Sequence, residues 1–426
     1  MTRFGVFCPP AIGHLNPMCA IALELQRRGH TVILFAVPDA IAKVASTGLT
    51  TIEIGAADYP EGSIDATYKK LGKLTGKAGL EFTIEACGRE AQMLFREAPQ
   101  AIREANIEAL IVDQVSVPIA VVADYLKLPF VTVCNAMLIQ REPSVPPYST
   151  HWAYADTSFA RLRNRMGNAL INYLTRDLWQ TAVAQRQQWN LPAYQKREDV
   201  YSTLAQICQL PKAFDFPRER LPQHFHYIGR FQDPSGTEPI KFDVPDFPFD
   251  RLTDQPLIYA SLGTLQNQRP EIFECIAKAC APLEAQLVIS LGNPQAQPVA
   301  LPGNPIVVSF APHQQLIERS AVVVTHAGMN TTLTALGCGV PLVAIPITNE
   351  QPGIAARLAR TQAGKTLPLD TLDETTLRAA IFEVLTDVSY RENAQRLQRE
   401  IQSSGGVQQA ADIIEKAVET RQPVVA

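Results

Sequence analysis

Apolar and polar positions along this chain follow two different periods. Short, nearly unbroken apolar runs recur at Phe4–Cys8, Val32–Ala36, Ala109–Val112 and Phe130–Cys134. Between them lie stretches in which apolar residues return every three or four positions, as at Ala20–Arg28 and Ile119–Leu126. Continuous runs suit strands buried on both faces, and the wider period suits helices packed over them. Strands alternating with helices predict a doubly wound parallel sheet. The second half repeats the pattern with runs at Leu257–Ser261, Gln286–Leu291, Ile306–Ser309, Val322–Thr325 and Leu342–Ile345. From Asp233 to Pro256, Pro, Asp and Gly replace periodicity, which marks a linker. The expected organisation is an α/β domain over residues 1–235, a linker at 236–255 and a second α/β domain at 256–402. A closing helix is expected within 403–426, after Ser-Ser-Gly-Gly406. Two such domains leave a cleft at the carboxyl ends of their sheets, where ligands bind in this fold class.

Composition narrows the class. Of 426 residues, 46% are hydrophobic and 19% charged, enough apolar material for two cores. A net charge of -4 offers no polycation for nucleic acid. The 8 cysteines form no Cys-x-x-Cys pair, so reduced buried thiols are expected. The first residues enter the Phe4–Cys8 run directly, so no leader is expected. No apolar run reaches the roughly 18 residues of a membrane span. A monomeric cytoplasmic protein follows as the expectation. With neither Asp-x-Asp nor a His/Cys cluster at ligand spacing, no metal and no cofactor are expected.

Chemistry concentrates between Phe310 and Gln351. The run Val322–Thr325 leads into His326-Ala-Gly-Met-Asn-Thr-Thr332, which opens a helix. A helix N-terminus carries unpaired N–H groups and about half a positive charge, a seat for phosphate. Gly328 permits close backbone approach, and Asn330 and Thr331 add donors. Upstream stand Phe310 and Pro312-His313, and downstream Gly339-Val-Pro341 and Glu350-Gln351. This spacing resembles the nucleotide-sugar signature of the UDP-glycosyltransferase superfamily. Within it, Asn349-Glu-Gln-Pro-Gly-Ile-Ala-Ala-Arg-Leu358 is most similar to the bacterial carotenoid (zeaxanthin) glucosyltransferases.

The resemblance implies the GT-B architecture: two Rossmann-like domains facing across a cleft, acceptor in the first half, UDP-glucose in the second. It aligns His14, in Gly13-His-x-x-Pro17, with the catalytic base and Asp113, at the end of Ala-Leu-Ile-Val-Asp, with its partner. The residue types suit those roles, because an imidazole can take a hydroxyl proton at neutral pH and a carboxylate can fix its tautomer. One base without a second carboxylate points to direct displacement with inversion, giving a β-glucoside from UDP-α-glucose. The same resemblance assigns Thr264 of Ser261-Leu-Gly-Thr264 and His326 to the diphosphate, Phe310 and His313 to the nucleotide, and Glu350 and Gln351 to the sugar hydroxyls.

Three positions depart from the family pattern. Phe310 replaces a stacking tryptophan, His313 a glutamine, and Thr334 a glutamate that binds ribose. The last leaves UDP and TDP donors both open. Lack of Gly-x-Gly-x-x-Gly after a strand weighs against a dehydrogenase. Intact His14 and Asp113 weigh against a non-catalytic nucleotide-sugar sensor. Residues 136–190 hold all three tryptophans, and Phe159-Ala-Arg-Leu-Arg-Asn-Arg-Met166 interleaves Arg with apolar residues. That segment reads as an amphipathic surface helix over buried aromatics, as a lid over a hydrophobic hydroxylated acceptor, or as a basic face for peripheral membrane contact (Arg161, Arg163, Arg165, Arg176, Arg186).

Overall fold

The computed structural model describes residues 1–74, 76–232 and 238–426; of the expected linker, residues 233–237 lie outside it. Two parallel sheets organise the described chain. The first takes β1 (Arg3–Phe7), β2 (Thr31–Ala36), β3 (Thr50–Glu53), β4 (Ala109–Asp113), β5 (Phe130–Cys134), β6 (Gln206–Cys208) and β7 (Phe225–Tyr227) in the order 3-2-1-4-5-6-7. The second takes β8 (Leu257–Ser261), β9 (Gln286–Ser290), β10 (Ile306–Val308), β11 (Ser320–Thr325), β12 (Leu342–Ala344) and β13 (Gly364–Thr366) in the order 10-9-8-11-12-13. Every pairing is parallel. In each sheet the order reverses beside the first strand, and the two reversal points open the cleft.

The central strands are buried on both faces: every residue of β4 and β8 is buried, so helices must cover both sides. β3, β6, β7 and β13 went unread in the sequence. They are three or four residues long, and β3 is a half-exposed edge with the polar run Thr-Thr-Ile-Glu. A long helix, Gly76–Glu104, was also missed, although Ala91, Leu94, Phe95, Ala98 and Ile102 bury one face at helical spacing.

Several contacts join the halves, and two are extensive. The last helix, Gly406–Thr420, packs Ala410, Ala411, Ile414 and Ala417 into the core of the first sheet. Arg28 Nη1 meets Asp412 at 2.6 Å and Glu415 at 2.8 Å there. The other contact is a buried ionic cluster. Asp215, from the first half, accepts Arg218 Nε at 2.6 Å, Tyr227 OH at 2.7 Å and Arg357 Nε of the second half at 2.8 Å. Burial pushes the Asp215 carboxyl up, and the two guanidinium groups hold it well below the usual range instead.

Candidate active site

The loop after β1 turns at once into the helix Ile12–Arg27, with His14 in its first turn. Pro17 lies inside that helix. A proline has no N–H to give, so the carbonyl four residues back, that of Gly13, loses its helical partner. Asn330 Nδ2 of the second half fills the gap, donating to Gly13 O at 2.9 Å. Asn330 Oδ1 in turn accepts Gln209 Nε2 at 3.1 Å. Both ends of the Asn330 side chain are therefore held by the first half.

β4 runs parallel to β1 with Phe7 opposite Val112, which brings Asp113 to the edge where His14 emerges. His14 Nδ1–H donates to Asp113 Oδ2 at 2.7 Å, and the two side chains are 21% and 0% exposed. Asp113 Oδ1 also accepts the Val115 amide at 3.0 Å, so the carboxylate caps the next turn and holds the imidazole together. Burial lowers the His14 imidazole, and Asp113, with Glu350 and Glu90, together raise it by more, so it ends above its ordinary value. With Nδ1 committed, Nε2 is the free nitrogen, suited to accept a proton.

Sequence reading did not find Glu90. It projects from the helix Gly76–Glu104 into an apolar recess lined by Phe7, Cys8, Phe35, Ile54 and Leu94. Burial and the Asp113 charge push its carboxyl up to about 7. The available signal was its place one turn before Leu94 on the buried stripe. Gln209 was missed as well, since a lone polar residue after the three-residue β6 carries no pattern.

In the second half, the loops after β8, β9 and β11 converge. Gly263 and Gly292 adopt φ of +68° each, and a Cβ on Gly292 would sit 2.0 Å from the Gly263 carbonyl. The His326 imidazole is pinched between two glycines: a Cβ on Gly263 or on Gly328 would lie 2.6 Å from its Cε1. Burial pushes His326 down to about 4, leaving it a neutral imidazole at pH 7. Ala327, at φ +64°, is a buried non-glycine residue in left-handed backbone, a strain of about 1–2 kcal/mol spent on turning the chain into the helix Met329–Gly337. Gly328 caps that helix, and Thr331 lies buried in its first turn. Thr264 is half-buried on the neighbouring loop, next to Gly263.

The remaining positions are more deeply committed than a sequence can show. Phe310 packs against Phe242 of the linker, ring centroids 4.6 Å apart. His313 Nδ1 is 3.0 Å from Tyr259 OH, and burial with Arg230 and His326 nearby pushes it down to about 3. Thr334 is fully buried and donates to Asn330 O at 2.7 Å. Glu350 caps the helix Gln351–Thr361, and its carboxyl is raised by burial and lowered in part by His14 across the cleft. Gln351 Oε1 accepts the amides of Ile347 and Thr348 at 2.8 and 3.0 Å, shaping the loop that presents Glu350. Among the described residues no group of three or more His, Cys, Asp or Glu could hold a metal ion.

A base–carboxylate pair thus faces a helix N-terminus and a neutral imidazole across one cleft. Residues 6–402 match the model of the family described as UDP-glucoronosyl and UDP-glucosyl transferase. The chain belongs to this UDP-glycosyltransferase family. The transferase is 31% identical over 432 residues to a zeaxanthin glucosyltransferase of Pantoea ananas, covering 100% of this chain and 98% of that protein. Its backbone matches the glycosyltransferase of kitacinnamycin (TM-score 0.74, 20% identity, 97% and 98% of the two chains). It also matches the glycosyltransferase VinC in complex with DTDP (TM-score 0.68, 17% identity, 99% and 100% of the two chains). The GT-B architecture and the glycosyltransferase class expected from the sequence both stand.

Proposed function

We propose that this glycosyltransferase moves glucose from UDP-glucose to a hydroxyl of a hydrophobic small molecule of the carotenoid, terpenoid or polyphenol kind, with inversion. The observation that carries the reading is the His14–Asp113 pair, 2.7 Å apart, opposite the helix N-terminus at Gly328. The acceptor hydroxyl gives its proton to His14 Nε2 while its oxygen bonds to the anomeric carbon. The bond from that carbon to the diphosphate oxygen breaks with its electron pair, and UDP leaves. Asp113 stabilises the imidazolium that forms. The first-turn amides after Gly328, Thr264 and the neutral His326 meet the charge growing on the diphosphate. Those groups supply the counter-charge, so no metal enters the reading. Phe310 and His313 border the base, and Glu350 and Gln351 the sugar. The zeaxanthin glucosyltransferase relative supports an apolar acceptor.

A TDP-sugar donor is the second reading. Thr334 is buried with its hydroxyl spent on Asn330 O, so nothing at that position favours the ribose of UDP. The test is nucleoside diphosphate release from UDP-glucose and TDP-glucose, with and without hydroxylated apolar acceptors including zeaxanthin, in wild type and His14→Ala. Acceptor-dependent UDP release that falls by about 10²–10⁴ in the variant supports the proposal. Release from TDP-glucose alone moves it to the second reading. Acceptor-independent release, or near-normal turnover in His14→Ala, overturns it.

A further inference from the structure

The helix Ser158–Leu174 is amphipathic in the opposite sense from an ordinary surface helix. Its inner face is made of small and polar groups. Ala160 and Asn164 are buried, Asn164 Nδ2 donates to Pro143 O at 3.0 Å, and a Cβ on Gly167 would meet Pro147 and Trp152 at 2.8 Å. Its outer face is apolar: Phe159 is 77% exposed, Leu162 54%, Met166 66%, Leu170 58% and Tyr173 62%. Their spacing of three and four residues places them on one stripe. Of the 12 exposed large hydrophobic side chains among the described residues, 6 lie on this one helix, so the patch is local rather than a property of the whole surface.

We propose that this stripe rests in the interfacial layer of an anionic lipid bilayer, so that the transferase collects its acceptor from the membrane. Charge selects that occupant. The helix carries Arg161, Arg163 and Arg165 and no Asp or Glu; Arg161 is paired with Asp156 and Glu219 of the same chain, so the charge offered to a ligand is that of Arg163 and Arg165. At 100° per residue, Arg163 and Arg165 fall on the two borders of the apolar stripe. A second copy of the chain would set these borders against each other with no acid on the helix to answer them. Anionic headgroups answer them directly, while the apolar side chains enter the acyl boundary. At 17 residues and about 25 Å the helix can lie along the surface, and no described helix is long and apolar enough to cross a membrane.

The placement also fits delivery. The inner face of the helix rests on the Pro143–Trp152 loop, and that loop abuts the second half at Gly353, where a Cβ would lie 1.9 Å from Tyr148 O. Gly353 follows Glu350 by three residues, so the stripe sits close to the rim of the cleft. The delivery role rests on the apolar acceptor proposed above; the surface contact itself does not.

The test is flotation of the full chain, without donor or acceptor, with vesicles of phosphatidylcholine alone or mixed with phosphatidylglycerol. Wild type is compared with Leu162→Asn/Met166→Asn/Leu170→Asn, three exposed positions on the outer face of the helix, none of them a residue of the candidate site. The expected result is binding to the mixed vesicles that weakens with salt and falls about tenfold or more in the variant. Turnover of a small water-soluble phenol stays unchanged in the variant. No binding by wild type, or equal binding by both, overturns the proposal. A wild-type dimer on size exclusion that the triple substitution dissolves assigns the stripe to a second copy instead. Because flotation needs no sugar transfer, failure of the transferase reading leaves this result standing.

Discussion

Asp113→Asn separates a positioned base from a merely buried histidine. The substitution keeps the shape and the hydrogen-bond acceptor but removes the charge. An imidazolium and a carboxylate joined by a 2.7 Å hydrogen bond have charge centres about 4 Å apart. At an effective dielectric of about 20 their attraction is about 4 kcal/mol, and because Asp113 is fully buried little of it is lost to solvent. The asparagine dipole retains part of this, so kcat/KM is expected to fall about 10²–10³-fold. The pH profile supplies a second sign. His14 must be unprotonated to act, so activity rises with pH through its pKa. Asp113 is the foremost of the carboxylates that together lift that pKa above its ordinary value against the pull of burial. Without the carboxylate, burial dominates and the acidic limb moves to lower pH. The assay is kcat/KM against pH for both proteins, with donor affinity measured by calorimetry and expected to hold. A loss under tenfold, or an acidic limb that stays in place, refutes the assignment of Asp113.

Glu90→Gln is expected to move the same acidic limb to lower pH by less than Asp113→Asn, because Glu90 is the weakest of the three carboxylate contributions at His14. A limb that moves to higher pH would contradict this. Asp215→Asn leaves Arg357 and Arg218, 1% and 2% exposed, without their shared counter-charge. It should cost about 3–5 kcal/mol, read from urea unfolding. Acid should destabilise the fold through His326, whose folded pKa lies near 4 against about 6.5 unfolded. Its contribution is full above pH 6.5 and is lost as pH falls, about 2 kcal/mol by pH 5. His326→Gln should flatten the urea midpoint between pH 7 and 5, whereas an unchanged slope would place the acid sensitivity elsewhere.

What the sequence made legible was whatever repeats or punctuates. The runs of β1, β4, β8 and β11 are continuous because parallel strands are buried on both faces, and His326–Thr331 follows β11 at a turn that glycine marks. Short edge strands such as β3 and β7 left no such trace, since three or four residues cannot establish a period. Side-chain commitments were equally hidden. Thr334 and Gln351 read as cleft polarity, yet one hydroxyl and one amide oxygen are spent on neighbouring backbone. Glu90 was invisible because its partners, His14 and Asp113, lie far away in sequence. The Ser158–Leu174 helix left three readings open in the sequence, because periodicity alone does not say which face turns inward; the inner face is Ala160, Asn164 and Gly167.

Pro17, Gly13, Gln209 and Asn330 bear on how this enzyme can be recombined. Swapping halves between relatives treats the donor half as a self-sufficient module. Here it is not one, because the first half holds both ends of the amide that heads the donor helix. A chimera that imports a first half lacking the equivalents of Pro17 or Gln209 inherits every donor-side residue and still leaves Asn330 unaimed. The crossover that respects this chain carries those three first-half positions along with the second half they orient.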